Sequence, residues 1–162
     1  MLETPKNSSR FVLNFVLYLR PVLGTMIYIT RRERFNAAHK LYNENWSVEK
    51  NDEMFGKCAN ANWHGHNFEL IVTVKGEVNP DTGFVINLKD LSGIVQDEVI
   101  EKVDHKNLNL DVDFMLGKFP STEILAMEFW QILAPLISEK GGILHCIKLV
   151  ETENNYVEYY GD

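Results

Sequence analysis

Three of the five histidines in this 162-residue sequence stand where one cation could reach them all. His64 and His66 are two residues apart, so in an extended strand both rings point to the same face. His39 lies upstream, and if the segment it ends pairs antiparallel with the segment His64 begins, the third ring joins them. Three histidines with an open fourth position are a common catalytic zinc arrangement. A single histidine in a folded domain is more often a polar core residue bonded to backbone. A His-Gly-His pair with a third histidine in register favours the metal. Gly65 is expected to keep the space between the two rings free of side-chain bulk.

Cys58 precedes His64 by six residues. A thiol near a bound cation and beside Lys57 is drawn toward the thiolate, the form that acts as a base or a nucleophile. The same thiol could instead close the zinc site as a fourth ligand, or be inert, and spacing does not rank the three. In Val-Asp-His-Lys-Asn-Leu-Asn, Asp104 adjoins His105, and a carboxylate beside an imidazole can orient it for acid–base work. Neighbours in sequence need not bond. Glu151 shares a strand face with Ile147 and Leu149, so its carboxylate wants N–H donors; a pterin-like edge offers two in parallel. The plain alternative is a salt bridge to Lys148. His145 and Cys146 read as structural.

The elements that must hold these residues follow from periodicity. Residues 27–39 alternate with Ile27, Ile29, Phe35, Ala37 and His39 on one side, and residues 64–76 carry His64, His66, Phe68, Leu70, Val72 and Val74 on one face. Between them runs a 24-residue loop, Lys40 to Trp63, and a loop of that length inside a domain usually has a job. Asn79-Pro80-Asp81-Thr82-Gly83 is a turn leading to a short strand, Phe84 to Ile86. Asn87 caps a helix with Leu88, Leu91, Val95 and Val99 inward. Ser121 caps a second with Leu125, Phe129, Ile132 and Leu136 inward, which Pro135 should kink or end. After Gly141-Gly142 come a strand from Ile143 to Thr152, a turn at Asn154-Asn155 and a strand from Tyr156 to Tyr160. This is an α+β pattern with helices on one face of a sheet.

The length fits one domain. A net charge of −7 argues against a nucleic-acid grip, which needs a basic face. A few lysines can still make a local pocket for a small anion. Two cysteines make no disulfide framework and suit a reducing, cytoplasmic setting. Residues 1–25 differ from the rest. Their apolar run, Phe11 to Leu19, is shorter than the roughly 20 residues that cross a bilayer, and no small-residue cleavage site follows it. They read as an extension, disordered or loosely packed, before a working domain of residues 26–162.

Several segments together resemble one family. Phe-Gly-Lys-Cys-Ala-Asn-Ala-Asn-Trp-His-Gly-His-Asn-Phe (55–68) is similar to the zinc and cysteine segment of the 6-pyruvoyltetrahydropterin and 6-carboxytetrahydropterin synthases. Residues 103–109 resemble that family's Asp-His motif, Ser-Thr-Glu-Ile-Leu-Ala (121–126) its second-helix opening, and Val-Glu-Thr-Glu-Asn-Asn (150–155) its pterin-anchoring strand. The resemblance runs in order from about Met26 to Gly161.

It implies the T-fold: a four-stranded antiparallel sheet with two helices on one side. Subunits of that fold join edge to edge, typically as a homohexamer of two stacked trimers with active sites between them. By position, His39, His64 and His66 would hold Zn2+ and Cys58 would be the general base. Asp104 and His105 would handle a second proton, delivered from a neighbouring subunit. Glu151 would anchor the pterin, with Ser121, Thr122 and Glu123 nearby, and Lys40, Lys57 and Lys106 are candidates to meet the triphosphate.

The implied substrate is 7,8-dihydroneopterin triphosphate. One branch of the family eliminates triphosphate and keeps the side chain; the other also releases acetaldehyde, toward queuosine. The carboxy branch usually has three residues between its cysteine and His-Gly-His, whereas five intervene here, Ala59 to Trp63, which favours the pyruvoyl product. Trp63, Ile124, Ala59 and Ala61 depart from the common pattern and are expected to alter pocket shape. The reading from another class is a zinc- and pterin-binding protein without turnover.

Overall fold

The computed structural model describes residues 24–162; expectations for the extension of residues 1–25 therefore lie almost wholly outside it. Strand β1 (Met26–His39) pairs antiparallel with β2 (His64–Glu77) over its whole length, from Met26 opposite Glu77 to His39 opposite His64. Strand β4 (Ile143–Thr152) pairs antiparallel with β2, and β5 (Asn155–Tyr159) with β4. A two-residue strand β3 (Lys106–Asn107) lies parallel to β1 at the other edge, giving the order β3-β1-β2-β4-β5. The four long strands make the antiparallel sheet of the T-fold.

Helix α1 (Val48–Phe55) lies between β1 and β2. Helix α2 begins at Leu88–Val95 and continues through a π turn, Gln96–Ile100, to Glu101–Val103. Helix α3 is Thr122–Glu139. The core forms where α2 and α3 cover the alternating inner face: Phe35 from β1, Phe68 to Val74 from β2 and Ile147 and Leu149 from β4 meet Leu91, Val95 and Val99 of α2 and Leu125, Phe129, Leu133 and Ile137 of α3. Each large apolar side chain buried there stabilises the domain by about 1.5–3 kcal/mol. None of the described helices is long and apolar enough to cross a membrane.

Several expectations need correction. Residues 84–86 form no strand: Val85 and Ile86 are buried without ladder partners, because a turn closed by Asn79 N–H to Phe84 O (3.1 Å) folds them onto the domain. Leu88 is 54% exposed at the first position of α2, one turn too early to face the sheet. The α3 stripe continues through Leu133 and Ile137, whereas Ile132 and Leu136 are half-buried at its margin. Pro135 does not end α3, which runs on to Glu139. Pro135 and Gln131 both lie on the exposed side, where water can take the carbonyl that proline leaves unpaired, while Leu133 and Ile137 pin the helix to the core.

The 40–63 segment is not a plain loop. Ser47 caps α1 by accepting from Lys50 N–H (3.3 Å), and a 3-10 turn, Gly56–Ala59, follows. Asn155 begins β5 instead of sitting in the turn; it pairs with Thr152, whose hydroxyl accepts from Asn154 and Asn155 N–H (3.3 and 3.1 Å).

Candidate active site

The register of β1 and β2 brings the three histidines together. His39 faces His64 across the ladder and His66 faces Ala37, all on the inner side. A slip of one residue would turn one strand's rings to the other face. Ring centroids lie 4.4 Å apart for His39 and His64, and 5.1 Å apart for each of the other two pairs. One nitrogen from each ring falls within 4.8 Å of the others, and among the described residues no further cysteine or carboxylate belongs to that set.

His39 Nδ1 is 2.8 Å from the Pro120 carbonyl, so Nδ1–H donates there and Nε2 is left with its lone pair toward the other rings. Nε2 of His39 and both ring nitrogens of His64 are buried without a hydrogen-bond partner. A buried polar atom left unpaired costs about 1–3 kcal/mol. Such a cluster is destabilising unless something completes it. Burial is the main cause that lowers the pKa of all three rings; repulsion between the rings adds to it, and Glu151 opposes it. The rings are thus held neutral, the form that ligates a metal. The donor set, its spacing and its orphaned nitrogens fit a zinc ion.

Gly65 does not separate the two rings. It lies on the opposite face, and a Cβ there would come within 2.9 Å of the Ala37 carbonyl oxygen; glycine lets β1 approach β2 beside the site.

Cys58 is half-buried in the 3-10 turn, and its carbonyl accepts from Leu41 N–H at 2.9 Å, tying the turn to the chain just past His39. Cys58, His39, Ser121, Thr122, Glu123 and Glu151 line one cavity of about 290 Å³. The Thr122 hydroxyl donates to Glu151 Oε1 (3.2 Å), and the same oxygen is 3.7 Å from Nε2 of both His39 and His66. Ser121 Oγ caps α3 by accepting from Ile124 N–H (3.4 Å). Lys148 does not pair with Glu151; it bridges Glu158 at 3.0 Å on the uncovered face of the sheet.

Asp104 and His105 bond to each other but stand apart from that cavity. Asp104 Oδ1 accepts from Asn36 N–H (2.7 Å), and Oδ2 lies 2.8 Å from His105 Nδ1. The Asn36 amide, with a smaller contribution from His105, holds the Asp104 carboxyl below the usual carboxylate range. His105 has φ +57° and a side chain 78% exposed. Asp104 shares a cleft of about 1000 Å³ with His66, Asn67 and Glu151, whereas His105 and Lys106 line a shallower one beside Asn67.

None of Lys40, Lys57 and Lys106 lines the Cys58 cavity. Lys40 Nζ sits 4.2 Å over the Tyr42 ring in a separate groove that Trp63 also lines. Trp63 and Ile124 likewise stay out of the cavity wall. His145 packs edge-on against Tyr28 and Tyr160, and burial pushes the Cys146 thiol pKa up, as structural roles require. Sequence reasoning missed Pro120, whose carbonyl fixes the His39 ring, and Asn155, which lines the cavity. Pro120 stands directly before a helix cap, and no pattern in the sequence marks its carbonyl as an acceptor.

A family model described as 6-pyruvoyl tetrahydropterin synthase matches residues 28–162. A protein from Pongo abelii named 6-pyruvoyl tetrahydrobiopterin synthase is 42% identical over 134 residues, 83% of this chain and 91% of that protein. The Homo sapiens protein of that name is 41% identical over 134 residues, with the same shares. The solved structure of the Caenorhabditis elegans 6-pyruvoyl tetrahydropterin synthase superposes with a TM-score of 0.79 at 35% identity, covering 85% of this chain and 97% of that one.

Proposed function

The chain belongs to the 6-pyruvoyl tetrahydropterin synthase family, and from that premise we propose that it is a carbon–oxygen lyase that eliminates triphosphate from 7,8-dihydroneopterin triphosphate to give 6-pyruvoyltetrahydropterin. The observation that carries the zinc-dependent form of this reading is the inward corner of His39, His64 and His66 with its unpartnered buried nitrogens. These rings would hold zinc, which when bound supplies a Lewis acid for the side-chain oxygens of the substrate.

The rest falls to the protein's own groups. Glu151, steadied by the Thr122 hydroxyl, accepts the ring N–H and exocyclic amine of the pterin, with Ser121 and Glu123 beside it. Cys58 lines the same cavity and takes the carbon-bound proton. Loss of that proton lets triphosphate leave as an anion. His105, oriented by Asp104, supplies or accepts the second proton. Tautomerisation moves the oxidation level from side chain to ring, so no redox cofactor takes part. The exposure of His105, which does not line the Cys58 cavity, supports an active site completed by a neighbouring subunit; the homohexamer is what the family resemblance adds. The reading places residues 26–162 as the catalytic domain in the cytoplasm, with residues 1–25 as an extension.

The direct test incubates the purified protein with 7,8-dihydroneopterin triphosphate. Triphosphate and 6-pyruvoyltetrahydropterin are expected, and bound zinc is expected by elemental analysis. Acetaldehyde among the products would move the chain to the 6-carboxytetrahydropterin branch. Ligand binding without any triphosphate release would leave a non-catalytic pterin-binding protein.

A further inference from the structure

The segment after α2 runs beside the end of β1 as a short parallel ladder, and side chains make both of its ends. At one end Asp104 accepts from Asn36 N–H (2.7 Å). Next, His105 N–H donates to Asn36 O (2.6 Å) and Leu108 N–H to Ala38 O (2.8 Å). Asn109 makes the last rung alone. Its Oδ1 accepts from Lys40 N–H (3.0 Å), and its Nδ2 donates to Lys40 O (3.0 Å). A primary amide presents a donor and an acceptor side by side, as a strand backbone does. Asn109 thus stands in for a further strand residue where β3 has already ended. Its own backbone is fixed by Asn109 N–H to Asn107 Oδ1 (3.0 Å), and Asn107 N–H by Asp111 (3.0 Å).

His39 lies between the last two rungs, Ala38 and Lys40. Beyond Lys40 the chain leaves the ladder, and among the described residues the further ties near His39 come from outside the sheet, Leu41 N–H to Cys58 O (2.9 Å) and the His39 ring to the Pro120 carbonyl (2.8 Å). We propose that Asn109 is a positioning residue: its amide holds the end of β1, and with it the His39 ring, in register with the segment that carries His105. It is outside the three-histidine set and does not line the Cys58 cavity, and it acts through Lys40.

This inference rests on the zinc reading of the three histidines, and the test separates the two. Zinc affinity is measured by chelator competition, and the ligand field by the visible spectrum of the cobalt-substituted protein. Asn109→Ala is expected to weaken zinc binding up to about 10-fold, below the about 10- to 100-fold cost of removing a group bonded to a ligand itself, and to shift the cobalt bands. Asn109→Asp keeps the size and the acceptor for Lys40 N–H, so it should lose less. Ile137→Val, in α3 and remote from the site, should lower the melting temperature without moving either readout.

If both Asn109 variants bind zinc within about twofold of the parent and their cobalt spectra superimpose, the proposal is wrong. Should Asn109→Ala fail to fold, Asn109→Asp decides by the same readouts. His39→Ala is the reference: unchanged affinity there overturns the zinc reading itself, whereas a lost affinity beside unaffected Asn109 variants overturns only the role of Asn109.

Discussion

The His39–His64–His66 corner and the Asp104–His105 edge lie at the same end of β1 and are built in opposite ways. The corner faces inward: His39 is buried, His64 and His66 are half-buried, and three of their ring nitrogens have no hydrogen-bond partner. At the edge, Asp104 is held by Asn36 and by His105, while His105 itself projects outward from a left-handed backbone. The corner is fixed by core packing and strand register, and its three rings form a set that can hold a metal ion. The edge is fixed by hydrogen bonds, and its imidazole is open to solvent. One chain thus carries a half-buried donor set that can hold a metal ion and, beside it, an exposed acid–base pair.

The hardest blow to this contrast is His64→Ala. Zinc content and triphosphate release should both fall to background; measured zinc at one ion per chain with turnover intact would break the corner's role. Cys58→Ala should keep the zinc and lose about 10²- to 10⁴-fold in turnover, the usual share of a general base. The contrast sharpens when inactive Cys58→Ala and His105→Ala subunits are dissociated and mixed. Activity should partly return if the edge of one chain serves the cavity of another, and no recovery would confine each site to a single chain.

Glu151→Gln should raise KM for the pterin about 10- to 100-fold with a smaller change in kcat, because a charge-assisted hydrogen bond is worth about 1.5–3 kcal/mol. An unchanged KM, measured by titrating substrate, would remove Glu151 from ring binding. The smallest effect belongs to Asp104. Its carboxyl is held below the ordinary range in the folded chain, so it adds stability above the unfolded value of about 3.9, and that contribution is lost as pH falls through the folded value. Urea unfolding should show Asp104→Asn less stable than the parent at pH 7, with the gap closing in acid. A gap independent of pH would mean that the carboxylate charge is not what Asn36 reads.

Period two made the corner legible in the sequence. His64, His66 and His39 fall on the side of Phe35, Phe68 and Leu70, and an antiparallel pairing that matches those faces excludes every odd slip and includes the register observed. The same parity puts Gly65 on the other face, which its assumed role as a spacer between the rings ignored. The caps at Asn87 and Ser121 were legible because their side chains bond the backbone locally. Helix α1 was not: its eight residues are mostly polar and bury only Asn51, whose amide bonds Asn43, Trp46 and Ser47 and holds that turn through contacts no period records. Pro135 misled because its helical cost was counted without the packing of Leu133 and Ile137 on either side. The Pro120 and Asn109 bonds span 81 and 69 positions along the chain, a distance at which local pattern is silent.

The bond from Leu41 N–H to Cys58 O pinches the base of the excursion between β1 and β2. A pinched base insulates what lies below it from what lies above. Insertions at the excursion's exposed tip, Glu44 and Asn45, outside α1 and the bonds of buried Asn51, should cost little, since doubling the length of a flexible loop costs only about 0.6 kcal/mol. They should leave the ligand rings and the thiol where they are. That stretch is where this scaffold is free to vary, and to acquire new contacts, without renegotiating its chemistry.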